Sequence, residues 1–196
     1  MYKKQMTAQK VICLLSMIAS VIVFIYALGL MTDLYDSLYP TMMNPDDLTD
    51  TWVPGSIVYY DMQPFNKALL LVSIGLILLS CLLFITNTAS RRKYYIGNYA
   101  AVGLNVAANV GAAVWAHVQV EAFKAQYLLV DFEELQMFAE MWETLYTDST
   151  FWFDAHYAVF GLTLVVCVLL TLNVIWKLNL MKSEKQLIEE GKAVSA

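Results

Sequence analysis

Four runs of uncharged, mostly apolar residues govern what this chain can fold into. Val11–Met31, Ala68–Ala89, Tyr94–Val120 and Ala158–Trp176 contain no Lys, Arg, Asp or Glu. A helix rises 1.5 Å per residue, so roughly 20 residues cross the hydrocarbon core of a bilayer. Each run has about that reach. No segment facing lipid can leave its backbone polar groups unpaired, so four helices is the economical reading. Composition agrees: the chain is 59% hydrophobic and 15% charged, outside the usual soluble range. The sequence therefore predicts an all-α membrane protein, one four-helix domain over 1–196. Its transmembrane helices are expected over about 11–31, 66–89, 94–120 and 151–178, with long connections at 32–65 and 121–150.

Lys3, Lys4 and Lys10 precede the first run as they would in a signal peptide. The apolar stretch is longer than the usual one, and no clear small-residue cleavage site follows, so a retained helix is expected. Cys13, Cys81 and Cys167 all fall inside predicted spans. They read as small packing residues and not as a disulfide framework.

Charge gives the orientation. The N-terminus, Arg91-Arg92-Lys93 and the tail from Lys177 hold ten of the twelve basic residues and three acidic ones. The two long connections and their edges hold fourteen acidic residues against only Lys67 and Lys124. Lys and Arg collect on the cytoplasmic side, so both termini are expected in the cytoplasm of a multi-pass cell-membrane protein. Trp152 and Trp176 lie roughly 36 Å apart along a helix, one for each interface.

All four prolines, Pro40, Pro45, Pro54 and Pro64, lie in the first long connection and forbid one continuous helix there. Trp52-Val53-Pro54-Gly55 reads as a turn, and Ser56–Tyr60 as a short extended stretch. Asp46, Asp47 and Asp50 lack calcium-loop spacing and read as a solvated acidic loop, so no metal is expected. In the second connection Leu128, Phe132, Leu135, Phe138, Trp142 and Leu145 recur at steps of three and four. That spacing predicts an outer amphipathic helix between the third and fourth spans. Its polar face is acidic, so its apolar face should cover the first connection or a partner protein, with Phe132, Leu135, Phe138 and Trp142 as anchors. Thr147-Asp148-Ser149-Thr150 then ends it and offers a cap to the fourth span.

The third span is the most informative. Asn98, Asn105 and Asn109 fall within about 40° on a helical wheel, with Gly103, Ala107 and Gly111 opposite. Intramembrane Asn seeks partners, and small residues let helices approach closely. This helix is thus expected to be packed on two sides and the most buried of the four. Asn98, Asn105, Asn109, Gly103 and Gly111 read as glue within the bundle or, on one face, as a contact with a second protein or the lining of a polar path. The second span, nearly pure Leu, Ile and Val with Ser73 and Ser80, reads as lipid-facing. His117 closes the third span and His156 opens the fourth at similar depth. They read as an interfacial pair, with Asp154 available to His156; a bis-His haem is the sharper alternative. No charge lies centrally in a span, and no nucleotide, protease or hydrolase motif appears. The chain reads as non-catalytic, with no cofactor and no nucleic-acid partner.

The plan of long, short and long connections is similar to claudins and tetraspanins, whose outer-loop cysteines are missing here. Tyr26-Ala27-Leu28-Gly29-Leu30-Met31-Thr32-Asp33, Met62-Gln63-Pro64-Phe65-Asn66 and Leu129-Val130-Asp131-Phe132 resemble uncharacterised bacterial four-helix membrane proteins that accompany carbohydrate ABC transporter components. That resemblance implies an accessory subunit beside a sugar permease. A free-standing channel or small transporter ranks next, and a haem-binding redox subunit last.

Overall fold

Uninterrupted apolar text with no internal proline leaves the backbone little alternative to helix. The computed structural model, which describes residues 2–44, 47–88 and 96–194, is built around four long helices. These are α1 (Tyr2–Leu38), α3 (Gln63–Thr88), α4 (Ile96–Tyr127) and α6 (Phe151–Val194). All four contain stretches long and apolar enough to cross a membrane. The helices outrun the apolar runs because nothing in the flanking sequence stops them. α1 continues to Leu38 and yields to a 3₁₀ turn, Tyr39–Thr41, only where Pro40 enters. Pro64 sits in the first turn of α3, where its missing N–H is harmless.

Buried residues fall at alternating steps of three and four along each long helix. On α1 they include Gln9, Cys13, Ser16, Ser20, Val23, Ala27, Leu30 and Leu34; on α3, Asn66, Leu69, Ser73, Leu76, Ser80, Leu83 and Asn87. On α4 they include Asn98, Val102, Asn105, Asn109, Ala112, Ala116 and Val120; on α6 they include Phe153, His156, Phe160, Thr163, Cys167, Leu170, Asn173 and Lys177. A mean step near 3.5 is the signature of helices packed side by side with small residues at the seam. The outward faces are the more apolar ones. Leu71, Leu78 and Ile85 of α3 are exposed at every second turn while Ser73 and Ser80 are buried. α3 is the least buried span, in line with its Leu-rich text. The most buried is α1 and not α4 as its Asn and Gly content predicts, because α4 turns its Gly face outward.

The contacts divide the chain into two compact units. The first comprises Met1–Ser20, Leu76–Val110 and Leu162–Ala196; the second, Val21–Gly75 and Gly111–Gly161. Each draws on all four long helices. A core of Cys13, Ala19, Leu83, Val102, Val166 and Leu170 fills the first unit.

The second unit holds both long connections. Residues Met42–Asn44 (β1) pair antiparallel with Asp47–Thr51 (β2), a hairpin the sequence does not announce. Asp46 lies outside the described residues, as does the Arg91-Arg92-Lys93 stretch; Asp47 and Asp50 belong to β2. Ser56–Tyr60 is not extended. The turn begun at Pro54 runs directly into a short helix, α2 (Val58–Asp61), because Ser56 Oγ donates back to Val53 O at 2.8 Å and curls the chain. Helix α5 (Phe132–Trp142) is shorter than the 128–145 stripe. Asp131 caps it by accepting the Glu134 N–H at 3.0 Å, and Glu143 closes it at φ 53°. Gly55 joins the two connections. It stands at φ +83°, and a Cβ there would meet Leu129 O at 2.8 Å, while Asp131 N–H donates to Pro54 O at 3.0 Å.

Candidate functional site

Polar side chains in an apolar helix need partners, and the first unit supplies many of them from within the chain, although Gln5 Oε1 and Asn105 Nδ2 are buried without one among the described residues. Asn105 Oδ1 accepts from Ser16 Oγ at 3.3 Å and from Asn109 Nδ2 at 3.2 Å. Asn109 Nδ2 also reaches Asn105 O at 2.8 Å. The Asn98 carbonyl accepts from Asn87 Nδ2 at 3.5 Å, and its side chain is buried. Gln5 Nε2 donates to Gln9 Oε1 at 2.8 Å and Asn173 Oδ1 at 3.2 Å, and Gln9 Nε2 donates to Asn87 O. Asn98, Asn105 and Asn109 thus face the chain's own interior. Lys177, counted above as the start of the tail, is 2% exposed, with Nζ 5.2 Å from the centre of the Tyr99 ring. Its charge rests on an aromatic face and not in water.

The opposite face of α4 is different. A Cβ built on Gly103 or on Gly111 meets no atom within 4 Å. Within the first unit, Gly103 and Ala107 open into a shallow apolar groove with Val106, Val110, Thr171 and Val174. The close helix contact expected for these small residues is not made among the described residues. Enlarging Gly103 or Gly111 therefore does not force the chain's own helices apart. Ser73, for which the lipid-facing reading predicts tolerance of a large residue, is fully buried on α3.

On α5 the four predicted anchors separate into two kinds. Leu135 is fully buried and Phe132 packs edge-on against Tyr127 at 5.3 Å, so both belong to the second unit's own core. Phe138 lies 6.2 Å from Trp142, and Trp142 is 61% exposed beside exposed Met137 and Met141. Trp152 does more than mark an interface. Its indole lies where a Cβ of Gly29 would stand, 2.2 Å from ring carbon Cη2.

The histidines meet directly. His117 Nδ1 lies 2.8 Å from His156 Nε2, and His156 Nδ1 contacts Phe153 O. A carbonyl only accepts, so His156 carries a proton on Nδ1, and in the neutral ring the bare Nε2 accepts from His117. Two axial haem ligands stand about 4 Å apart across the iron, at roughly 2 Å per Fe–N bond. The pair as it stands leaves no space for a ring between them. Asp154 does not serve His156; it pairs with Lys124 at 2.5 Å and accepts from Thr150 Oγ1 at 2.7 Å. Glu121 is the neighbour that sequence reasoning passes over, 3.7 Å from His156 Nε2 and bonded to Tyr157 Oη at 2.8 Å. Its signal was its spacing, four residues after His117 on one helix face.

Four helices long and apolar enough to cross a bilayer give the chain the composition of a multi-pass membrane protein. Comparison of the chain with protein-family models, curated proteins and solved structures gave no match.

Proposed function

We propose that this chain is a non-catalytic subunit of a larger membrane complex, with both termini cytoplasmic, held to another integral membrane protein by a helix packed on α4. The observation that carries this reading is the empty space over Gly103 and Gly111. Gly inside a helix costs about 1 kcal/mol relative to Ala, and no contact among the described residues requires it at either position. A partner helix would use it, since Gly103, Ala107 and Gly111 recur every four residues in the manner of close intramembrane crossings. The groove follows α4 from Tyr99 to Val110, about 16 Å, which suits a helix better than a compact ligand. The resemblance of short segments to companions of carbohydrate ABC transporters is what supports a sugar permease as the partner class. Phe138 and Trp142 of α5 are the second contact, on the acidic connection.

The experiment is gentle extraction from native membranes with affinity capture of the chain. A permease component should co-purify, and Gly103→Leu with Gly111→Leu should release it while the chain stays folded by circular dichroism. Phe138→Ala with Trp142→Ala should weaken the same association. Recovery of only a monomer or homo-oligomer would favour a free-standing channel or small transporter. A partner retained by the Gly variants would remove α4 as the contact.

A further inference from the structure

The His117, Glu121 and His156 side chains offer one ligand atom each, and these atoms all lie within 4.8 Å of one another. We propose that they form a binding site for a divalent first-row transition-metal ion of the zinc type. His117 and Glu121 sit one turn apart on α4, so their side chains leave the helix on one face. His156 comes from the first turns of α6 and is 1% exposed, whereas His117 is exposed.

Two of the three ligand separations fit with small adjustments, and the third, within 4.8 Å, has to close by up to about 1.4 Å. A tetrahedral ion with bonds of about 2.0–2.2 Å holds its ligand atoms roughly 3.4 Å apart. The His117 Nδ1–His156 Nε2 separation, 2.8 Å, has to open by about half an ångström on that scale. The His156 Nε2–Glu121 Oε1 separation, 3.7 Å, has to close by less. Rotation about side-chain bonds supplies both, because Glu121 is only half-buried and His117 is exposed.

The surroundings are those of a prepared ligand set. A metal-binding imidazole donates its other ring N–H to a carbonyl or carboxylate, which fixes the tautomer and orients the ring. His156 does this with Phe153 O, leaving Nε2 as a lone pair aimed at the cluster. Tyr157 Oη donates to Glu121 Oε1 at 2.8 Å and holds the carboxylate in place. Tyr157 also packs its ring against His156, with centroids 4.0 Å apart. The proton now between the two imidazoles moves to His117 Nε2 when the ion takes Nδ1, so His117 remains neutral. Nearby Lys124 and Asp154 neutralise each other and leave Glu121 as the site's negative charge.

The donor set selects the class of ion. Two imidazoles and one carboxylate suit zinc and its first-row neighbours, while calcium and magnesium require more oxygen ligands and copper(I) prefers sulfur. Three protein ligands leave at least one coordination position open, on the exposed side where His117 stands.

The test is zinc titration of the detergent-purified, chelator-stripped chain by calorimetry, with cobalt(II) absorption as a report of coordination geometry. One ion per chain is expected, with a tetrahedral or five-coordinate cobalt spectrum. His117→Ala and Glu121→Gln should each weaken zinc binding by more than ~100-fold, and Tyr157→Phe by ~10–100-fold as an outer-shell change. His117 and Glu121 are not core residues, so melting of the metal-free variants should stay within a few degrees of the parent, separating lost ligation from lost fold. Binding of equal strength in the parent and in the His117→Ala, Glu121→Gln double variant would overturn the site. The pair would then be a hydrogen bond joining α4 to α6 and nothing more. Neither result depends on the presence of a permease.

Discussion

Two glycines show how single atoms decide packing in this chain. Gly29 has no Cβ because the Trp152 indole occupies that place, with three ring carbons within 2.6 Å of it. Gly29→Ala should therefore displace a bulky, rigid ring and destabilise the chain by about 1–3 kcal/mol, the usual range for overpacking. Detergent-phase thermal melting would register it, and Trp152→Phe should restore part of the loss. Gly55→Ala should be worse tolerated than its surface location suggests. It combines a left-handed backbone with a carbonyl oxygen 2.8 Å from the new methyl group. Gly103→Ala, with nothing near it, should raise the melting temperature of the isolated chain slightly, by up to about 1 kcal/mol of helix propensity.

Among the helices, the existence of each membrane-length element was legible, its ends were not, and its facing was only half so. Apolar runs of bilayer length named α1, α3, α4 and α6, because no other structure can satisfy their backbones in lipid. Which side turns inward is a harder question when lipid and core are equally apolar. Leu71 and Leu76 look alike in sequence, yet one is among the most exposed residues and the other is buried. Only polar residues carry a sign. Asn105 and Asn109 have to seek bonds, whereas Gly103 is content in either setting, and its small size does not say whether its neighbour is a helix of this chain. The α5 stripe ran too long because Leu128 and Leu145 keep its spacing while lying outside the helix. The cluster at His117 escaped because Glu121 was counted as loop charge and not as a helix neighbour. Bond energies are testable at this scale. A double-mutant cycle on Ser16→Ala and Asn105→Ala should return a coupling of about 0.6 kcal/mol, typical of hydrogen bonds between membrane helices. A value near zero would mean the two residues are neighbours and not partners.

For the whole molecule the decisive measurement is sidedness. Cysteines introduced at Asp47 and at Glu140 should react with an impermeant reagent added to intact cells, and one at Arg92 should not. The charge split between connections and tails is the basis. Labelling at position 92 would invert the orientation. α6 adds a second global expectation. It has 44 residues, or about 66 Å of helix, more than twice the thickness of a hydrocarbon core. Its C-terminal part should be protease-accessible in inside-out vesicles. The Lys185 and Glu189 side chains, 3.8 Å apart, lie on that part, where water can solvate them.

The buried face of α3 has a consequence for assembly. Leu69, Leu76 and Leu83 alternate with Ser73 and Ser80, and Asn66 and Asn87 stand one heptad beyond each serine. A repeat of seven is degenerate: sliding the helix by one period, about 10.5 Å, again lays leucine where leucine was. The two asparagines break the degeneracy. A slide would carry one of them into a serine's slot and withdraw the other from its place, so a single register remains. Replacing both with serine should yield a chain that inserts normally but populates more than one register, seen as doubled or broadened resonances from α3. The asparagines, in that view, are the punctuation of an otherwise repetitive text.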